Sequence, residues 1–334
     1  MPLLGALPRS LFVALSLALC LLLATIAPAT VRAAADGPKV VVSIKPLHAL
    51  VARVMGDVGQ PYLLLQGAAS PHSYSLRPSD ARALSEADLV FWVGPGFESF
   101  LVKPLQTLAG RATAVGLAAA PGVATLPYGA AAIDERPHAN GETHDGEHEH
   151  EHEHEHGHDP DSFDPHIWLD PVNAAAMTTA IAAALGAADP DHAAAYRAKA
   201  VALRSDLEAL TAELAAGLAP LRTRPFVTFH DAYGYLTKRF GLASAGAIAL
   251  DPERPPGAAR VAEIRRRVQE LGVACVFAEP QFAPKLIAVV TEGTGARAGV
   301  LDPMGAALAP GPDAYDRLLR DLAAGLRGCL LPES

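Results

Sequence analysis

The chain has no strongly basic surface stretch to offer a nucleic acid. Residues 134–164 hold 12 of its 36 acidic residues and one of its 27 basic ones, which leaves 24 acids against 26 bases elsewhere. The formal net charge of -9 is therefore the property of one segment, and no stripe is left to neutralise a phosphate backbone. A G-x-x-x-x-G-K-[ST] loop is also missing, so nucleotide is not hydrolysed by that route. There is no H-E-x-x-H pair outside the acidic segment, and the closely spaced histidines all fall in that segment. GTGARA, at 293–298, fits the outline of a dinucleotide fingerprint, but it has no complete strand–helix–strand unit after it. No repeat of 20 to 50 residues recurs. Charged residues are scarce at 19% against 50% apolar, which excludes a disordered or fibrous chain; 334 residues suffice for two modest cores.

Cysteine is nearly absent, and its three positions carry meaning. Cys20 lies inside the 17-residue apolar run LFVALSLALCLLLATIA, which follows Arg9 and precedes APATVRAAA. That pattern reads as a cleavable secretory signal peptide over residues 1–35, with an uncleaved anchor as its rival. Leu19 stands where a lipoprotein signal needs a small residue, so Cys20 is expected to leave with the leader. No second apolar run is expected to approach membrane-spanning length. Cys275 and Cys329 remain, an even count for an oxidising compartment; they either close a 54-residue loop or stay as a buried thiol and a terminal one.

Short apolar runs alternate with Ala/Leu-rich helical stretches. KVVVSI, PYLLL, DLVFWV, PFVTF, ACVFA and GVLD read as parallel strands buried on both faces, so the expected class is α/β. DPDHAAAYRAKAVALRSDLEALTAELAAGLAPL reads as one helix of roughly 27 residues, about 40 Å long, joining two lobes. The expected division is an N-terminal lobe over 36–187, a linker helix over 189–219 and a C-terminal lobe over 220–334. Residues 134–161, with the alternation EHEHEHEHEHGH, have no periodicity and are expected to be a disordered insertion in the first lobe.

Outside the tract the histidines are His48, His72, His166, His192 and His230. Three have telling contexts: His72 follows a strand in GAASPHSYSLRPSD, His166 precedes a capped helix in FDPHIWLDP, and His230 ends a buried strand in FVTFHDAYGY. Ligands of open α/β sheets bind outside the carboxyl ends of the strands, so these three imidazoles are candidates for one crevice. Three ring nitrogens suit zinc, with water or a carboxylate in the fourth direction, and disfavour magnesium and calcium. Asp302, in AGVLDP, is the leading carboxylate; Glu279, in CVFAEPQF, is similarly placed. His48 and His192 are weaker candidates, one facing a helix start and the other solvent. The same triad with water would also serve a periplasmic zinc hydrolase, the rival reading from another class. No local nucleophile or motif-supported base accompanies it.

With these blocks in view, SIKPLHALV, GAASPHSYSLRPSDARAL, ADLVFWVGPGFESFL, HIWLDP, FHDAYGYL, CVFAEPQF and LDPMG resemble, in order, the periplasmic solute-binding proteins of zinc-uptake ABC transporters, metal-binding cluster A-I. The likeness covers the mature chain and includes the His/acid-rich insertion. It implies two lobes, each with a mostly parallel four-stranded sheet, joined by a long helix with limited closure. It implies metal ligation by His72, His166 and His230, with Asp302 or water closing the shell, and a Cys275–Cys329 disulfide. Pro71 stands where some zinc members have Glu, so no carboxylate comes from that position. The implied role is non-enzymatic: a monomer that captures Zn2+ in the periplasm and hands it to a membrane permease powered by a separate ATPase. His144, His148, His150, His152, His154, His156 and His158 are expected to gather metal at low affinity. Manganese or nickel specificity is the closer alternative.

Overall fold

The computed structural model describes residues 37–127, 163–249, 256–282 and 285–331. The leader and the whole His/Glu tract lie outside that set. Val40, Val41 and Val42 form β1 (Val40–Val42) because β-branched side chains fill both covered faces of a sheet; all three are buried. β2 (Tyr62–Leu63), β3 (Leu89–Trp92) and β4 (Thr113–Gly116) complete a first sheet in the order β2-β1-β3-β4. A second sheet repeats the plan with β5 (Phe226–His230), β6 (Ser244–Ala249), β7 (Cys275–Ala278) and β8 (Arg297–Val300) in the order β6-β5-β7-β8. Every pairing is parallel. The chain therefore reverses its direction of travel across each sheet between β1 and β3, and again between β5 and β7. These are the switch points at which open α/β sheets leave a crevice.

The described helices are α1 (Lys45–Met55), α2 (Pro78–Glu86), α3 (Ser99–Thr107), α4 (Pro171–Ala188), α5 (Ala193–Leu218), α6 (Gly234–Phe240), α7 (Ala258–Glu270), α8 (Lys285–Thr291) and α9 (Ala314–Leu330). Asp170 starts α4: its side chain accepts the Val172 backbone N–H at 2.9 Å, and Pro171 takes the first-turn place where no N–H is needed. Contrary to expectation, α4 is a second uncharged run of 18 residues, long and apolar enough to cross a membrane by length and composition. Here Met177, Ile181 and Leu185 are turned into the core.

A 3-10 turn at Pro190–His192 reverses the chain, and the 26-residue α5 runs back against α4. Its buried Tyr196, Ala200, Leu203, Leu207, Leu210, Leu214 and Leu218 recur every three or four residues, the spacing of one helical face. That face meets α1, α4 and α9, so the long helix is packed along its length, not a bare strut. Arg53 of α1 reinforces the join by pairing with Asp206 of α5 and Asp316 of α9.

One continuous apolar core runs through both sheets, from Val40 to Leu330. Strand alternation divides the second sheet: Phe226, Cys275 and Phe277 face this core, whereas Val227, Phe229 and Val276 face a smaller one beneath α7 and α8. Cys275 in β7 is disulfide-bonded to Cys329 in α9, with 6.1 Å between Cα atoms. GTGARA connects α8 to β8, running from helix to strand, the opposite of what a dinucleotide site requires.

Candidate metal site

His230 is the last residue of β5, and Glu279 is the first residue beyond β7, so the two side chains straddle the second sheet's switch point. His230 Nδ1 lies 2.6 Å from Glu279 Oε1, and both residues are buried. Burial opposes a charged imidazole, but the Glu279 charge and hydrogen bond outweigh it, and the His230 pKa rises above its ordinary 6.5. His166 repeats the device over a shorter span. Its Nδ1 lies 2.7 Å from Asp164 Oδ1, an atom that also accepts the His166 backbone N–H at 3.0 Å. The Asp164 carbonyl is fixed in turn by the Tyr235 hydroxyl at 2.6 Å.

With each Nδ1–H given to a carboxylate, both Nε2 atoms face the crevice, 3.4 Å apart. Such pairing sets the tautomer and raises the basicity of a metal-binding imidazole. His72 comes from the irregular segment after β2 and is exposed. Its ring packs edge-on against Phe97 at 5.5 Å and His230 at 6.3 Å between centroids. The segment is fastened two residues later, where the Tyr74 hydroxyl lies 2.7 Å from Asp80 Oδ2, inside a cluster with Tyr62 and Arg77. The donor nitrogens of His72, His166 and His230 lie within 4.8 Å of one another, close enough to share one ion. Phe97 and Trp168 wall the site, with ring centroids 5.6 and 5.3 Å from His166.

The other candidates stand elsewhere. Among the described residues, the donor group of mutually close atoms comprises the three histidines without Asp302. Asp302 is turned into its own loop: Oδ1 accepts from Gln281 Nε2 and the Met304 N–H, both at 3.1 Å, and Oδ2 accepts the Ala306 N–H at 2.5 Å. Glu279 sits behind His230 instead of beside it as a ligand. His48 is buried with Nε2 on the Pro61 carbonyl at 3.0 Å, and burial pushes its pKa down. His192 Nδ1 lies 2.7 Å from Asp189 Oδ2 at the turn before α5. His144, His148, His150, His152, His154, His156 and His158 lie outside the described residues. Asp164 went unnoticed in the sequence, although a carboxylate two residues before a candidate ligand in FDPH was a usable signal.

A family model described as zinc-uptake complex component A, periplasmic, matches residues 40–329, nearly the whole described chain. The chain belongs to the ZnuA family. It is 46% identical over 311 residues to the high-affinity zinc uptake system protein ZnuA of Brucella abortus (strain 2308), covering 87% of this chain and 91% of that relative. It is 41% identical over 325 residues to the protein of the same name from Paracoccus denitrificans (strain Pd 1222), covering 92% and 97%. A solved structure described as ZnuA superposes with a TM-score of 0.72 at 26% identity, over 89% of this chain and all of that one. The two parallel four-stranded sheets and the long central helix are thus features shared with a ZnuA structure.

Proposed function

We propose that this ZnuA-family chain is the zinc-capture protein of an ABC importer, holding Zn2+ through His72, His166 and His230. One observation carries the reading: three imidazole donors within 4.8 Å, two of them braced from behind by buried carboxylates, with His230 at the carboxyl end of a switch-point strand. Water takes the fourth direction, because Asp302 is held in its own loop. Because Glu279 raises the His230 pKa against the effect of burial, zinc competes with a proton for its Nε2, and acid favours the proton. The ion is cargo, released to a membrane permease driven by a separate ATPase.

The leader directs the chain to the periplasm, where it acts as a monomer divided near 36–187, 189–219 and 220–334. The packing of α5 against α1, α4 and α9 supports limited closure of the two halves. The His/Glu tract gathers zinc at low affinity, its carboxylates raising the local cation concentration around its imidazoles.

Titration calorimetry with zinc tests the reading. The mature chain should bind one ion tightly and several weakly, and deletion of 138–158 should remove only the weak ones. His72→Ala, His166→Ala or His230→Ala should each weaken the tight site by about a hundredfold or more, while the weak ones persist. A tight site that survives all three changes overturns the assignment.

A further inference from the structure

Asp302 is the carboxylate best placed in the sequence to join the metal, yet it is held in its own turn by Gln281, Met304 and Ala306, and a residue from the other half of the molecule bonds to that turn. Lys45, at the first position of α1, is buried, and its ammonium donates to the backbone carbonyls of Gly305 and Ala306, the latter at 3.1 Å. The Gly305 carbonyl and the Ala306 N–H belong to one peptide unit. Lys45 therefore pulls on the oxygen of the same amide whose N–H holds Asp302 Oδ2. In such a chain each bond polarises the next, so a cation on the carbonyl makes the amide a stronger donor to the carboxylate. Gly305 makes the arrangement sterically cheap, with a left-handed φ of 64° that side-chain-bearing residues rarely adopt. The Trp168 indole N–H pins the same turn at the Pro303 carbonyl, 2.8 Å away. The turn is thus gripped from the first half of the chain at both its start and its end.

We propose that Lys45 is a specificity-determining positioning residue, which keeps Asp302 off the metal and so holds the site to three imidazoles and water. The inference rests on the zinc-site reading above. Its consequence follows from ligand chemistry: zinc is content with a tetrahedron of nitrogens and one oxygen, whereas manganese favours carboxylate oxygen and a larger shell. Freeing Asp302 would supply what manganese lacks. Lys45 would then act against the wrong cation instead of for the right one.

The test compares Zn2+ and Mn2+ affinities of the full mature chain and its Lys45→Met variant by competition titration, with X-ray absorption at one equivalent of each metal. Lys45→Met should strengthen manganese binding by about tenfold, the scale of changes behind a metal ligand, with carboxylate oxygen appearing in the manganese shell. Lys45→Met combined with Asp302→Asn should erase the gain. Lys45→Arg, which keeps the donors, should behave like the parent. If Lys45→Met does not fold, Lys45→Gln should show a smaller gain in the same direction. An unchanged zinc-to-manganese ratio in the folded Met or Gln variant overturns the role of Lys45. A parent chain without a tight zinc site overturns the underlying reading, a separate outcome visible before any Lys45 variant is measured.

Discussion

The two sheets share one topology, and their switch points can be compared atom by atom. In the first, Glu98 beyond β3 accepts the Ser43 hydroxyl beyond β1 at 2.6 Å, together with the backbone N–H groups of Val93 and Gly94 at 3.1 and 3.0 Å. In the second, Glu279 beyond β7 meets His230 at the end of β5. Both carboxyls are buried, and each joins the two strands that flank its switch point. The difference is what they grip. Glu98 is spent on closing its own end of the sheet, and its neighbour Phe97 packs against His72 and His166. Glu279 is given to an imidazole whose far nitrogen faces the crevice. The fold supplies a buried acid at both places, and a candidate metal ligand arises where that acid meets a histidine.

The sharpest way to break the comparison is to remove the histidines and watch the empty protein. His230→Ala leaves the Glu279 carboxylate buried without its partner, a loss of about 3 kcal/mol in unfolding free energy. Because the folded pKa of His230 is raised, the pair's contribution is complete below its ordinary 6.5 and is lost as pH climbs through the elevated value. Urea unfolding of metal-free protein should therefore show the largest deficit near about pH 6. His72→Ala, at an exposed position, should cost less than about 0.5 kcal/mol under the same conditions. Equal losses for the two variants would mean that the buried pair is no more than packing.

The first switch point makes the opposite prediction. Burial pushes the Glu98 carboxyl up to about 7, against hydrogen bonds from Ser43, Gly94 and Val93 that favour its charged form. An acid whose folded pKa is raised is best accommodated when protonated, so stability is lost as pH rises from the ordinary 4.5 through about 7. Glu98→Gln should flatten that slope. The unfolding free energy of the parent, relative to the variant, should fall by on the order of 2 kcal/mol across the interval, read from denaturant titrations at several pH values. Parallel pH profiles would show that the donors keep Glu98 charged throughout.

The sequence made the class, six of the strands and the positions of the three histidines readable for a common reason: β-branched runs and strand ends are local features. β4 and β6 escaped because TAVG and SAGAIA are built of small residues, whose strand state comes from pairing beside β3 and β5 and not from their own propensity. Glu279 stood out as an acid at a strand end, but whether it would face the ion or the back of an imidazole depends on β5 and β7 being neighbours. The grip of Lys45 on Gly305 is less legible still, since 260 residues separate the partners and the acceptor is backbone. Contacts that recruit main-chain atoms leave no residue-type signature.

The smallest effect is the most specific to the comparison. In Glu279→Gln the side-chain oxygen still accepts the His230 Nδ1–H, so the ring keeps its orientation, and the negative charge alone is lost. Burial of His230 would then act with far less opposition, and its pKa should fall below the ordinary 6.5 from above it, followed by the imidazole resonances in an NMR titration of metal-free protein. A less basic nitrogen binds zinc less well, so at pH values where parent and variant are both deprotonated, affinity should drop by about tenfold. Toward lower pH the gap should narrow, because the parent must surrender a proton that the variant no longer holds. A constant gap at every pH would mean that Glu279 orients the ring without tuning it, and the two switch-point acids would then differ in partner but not in electrostatic role.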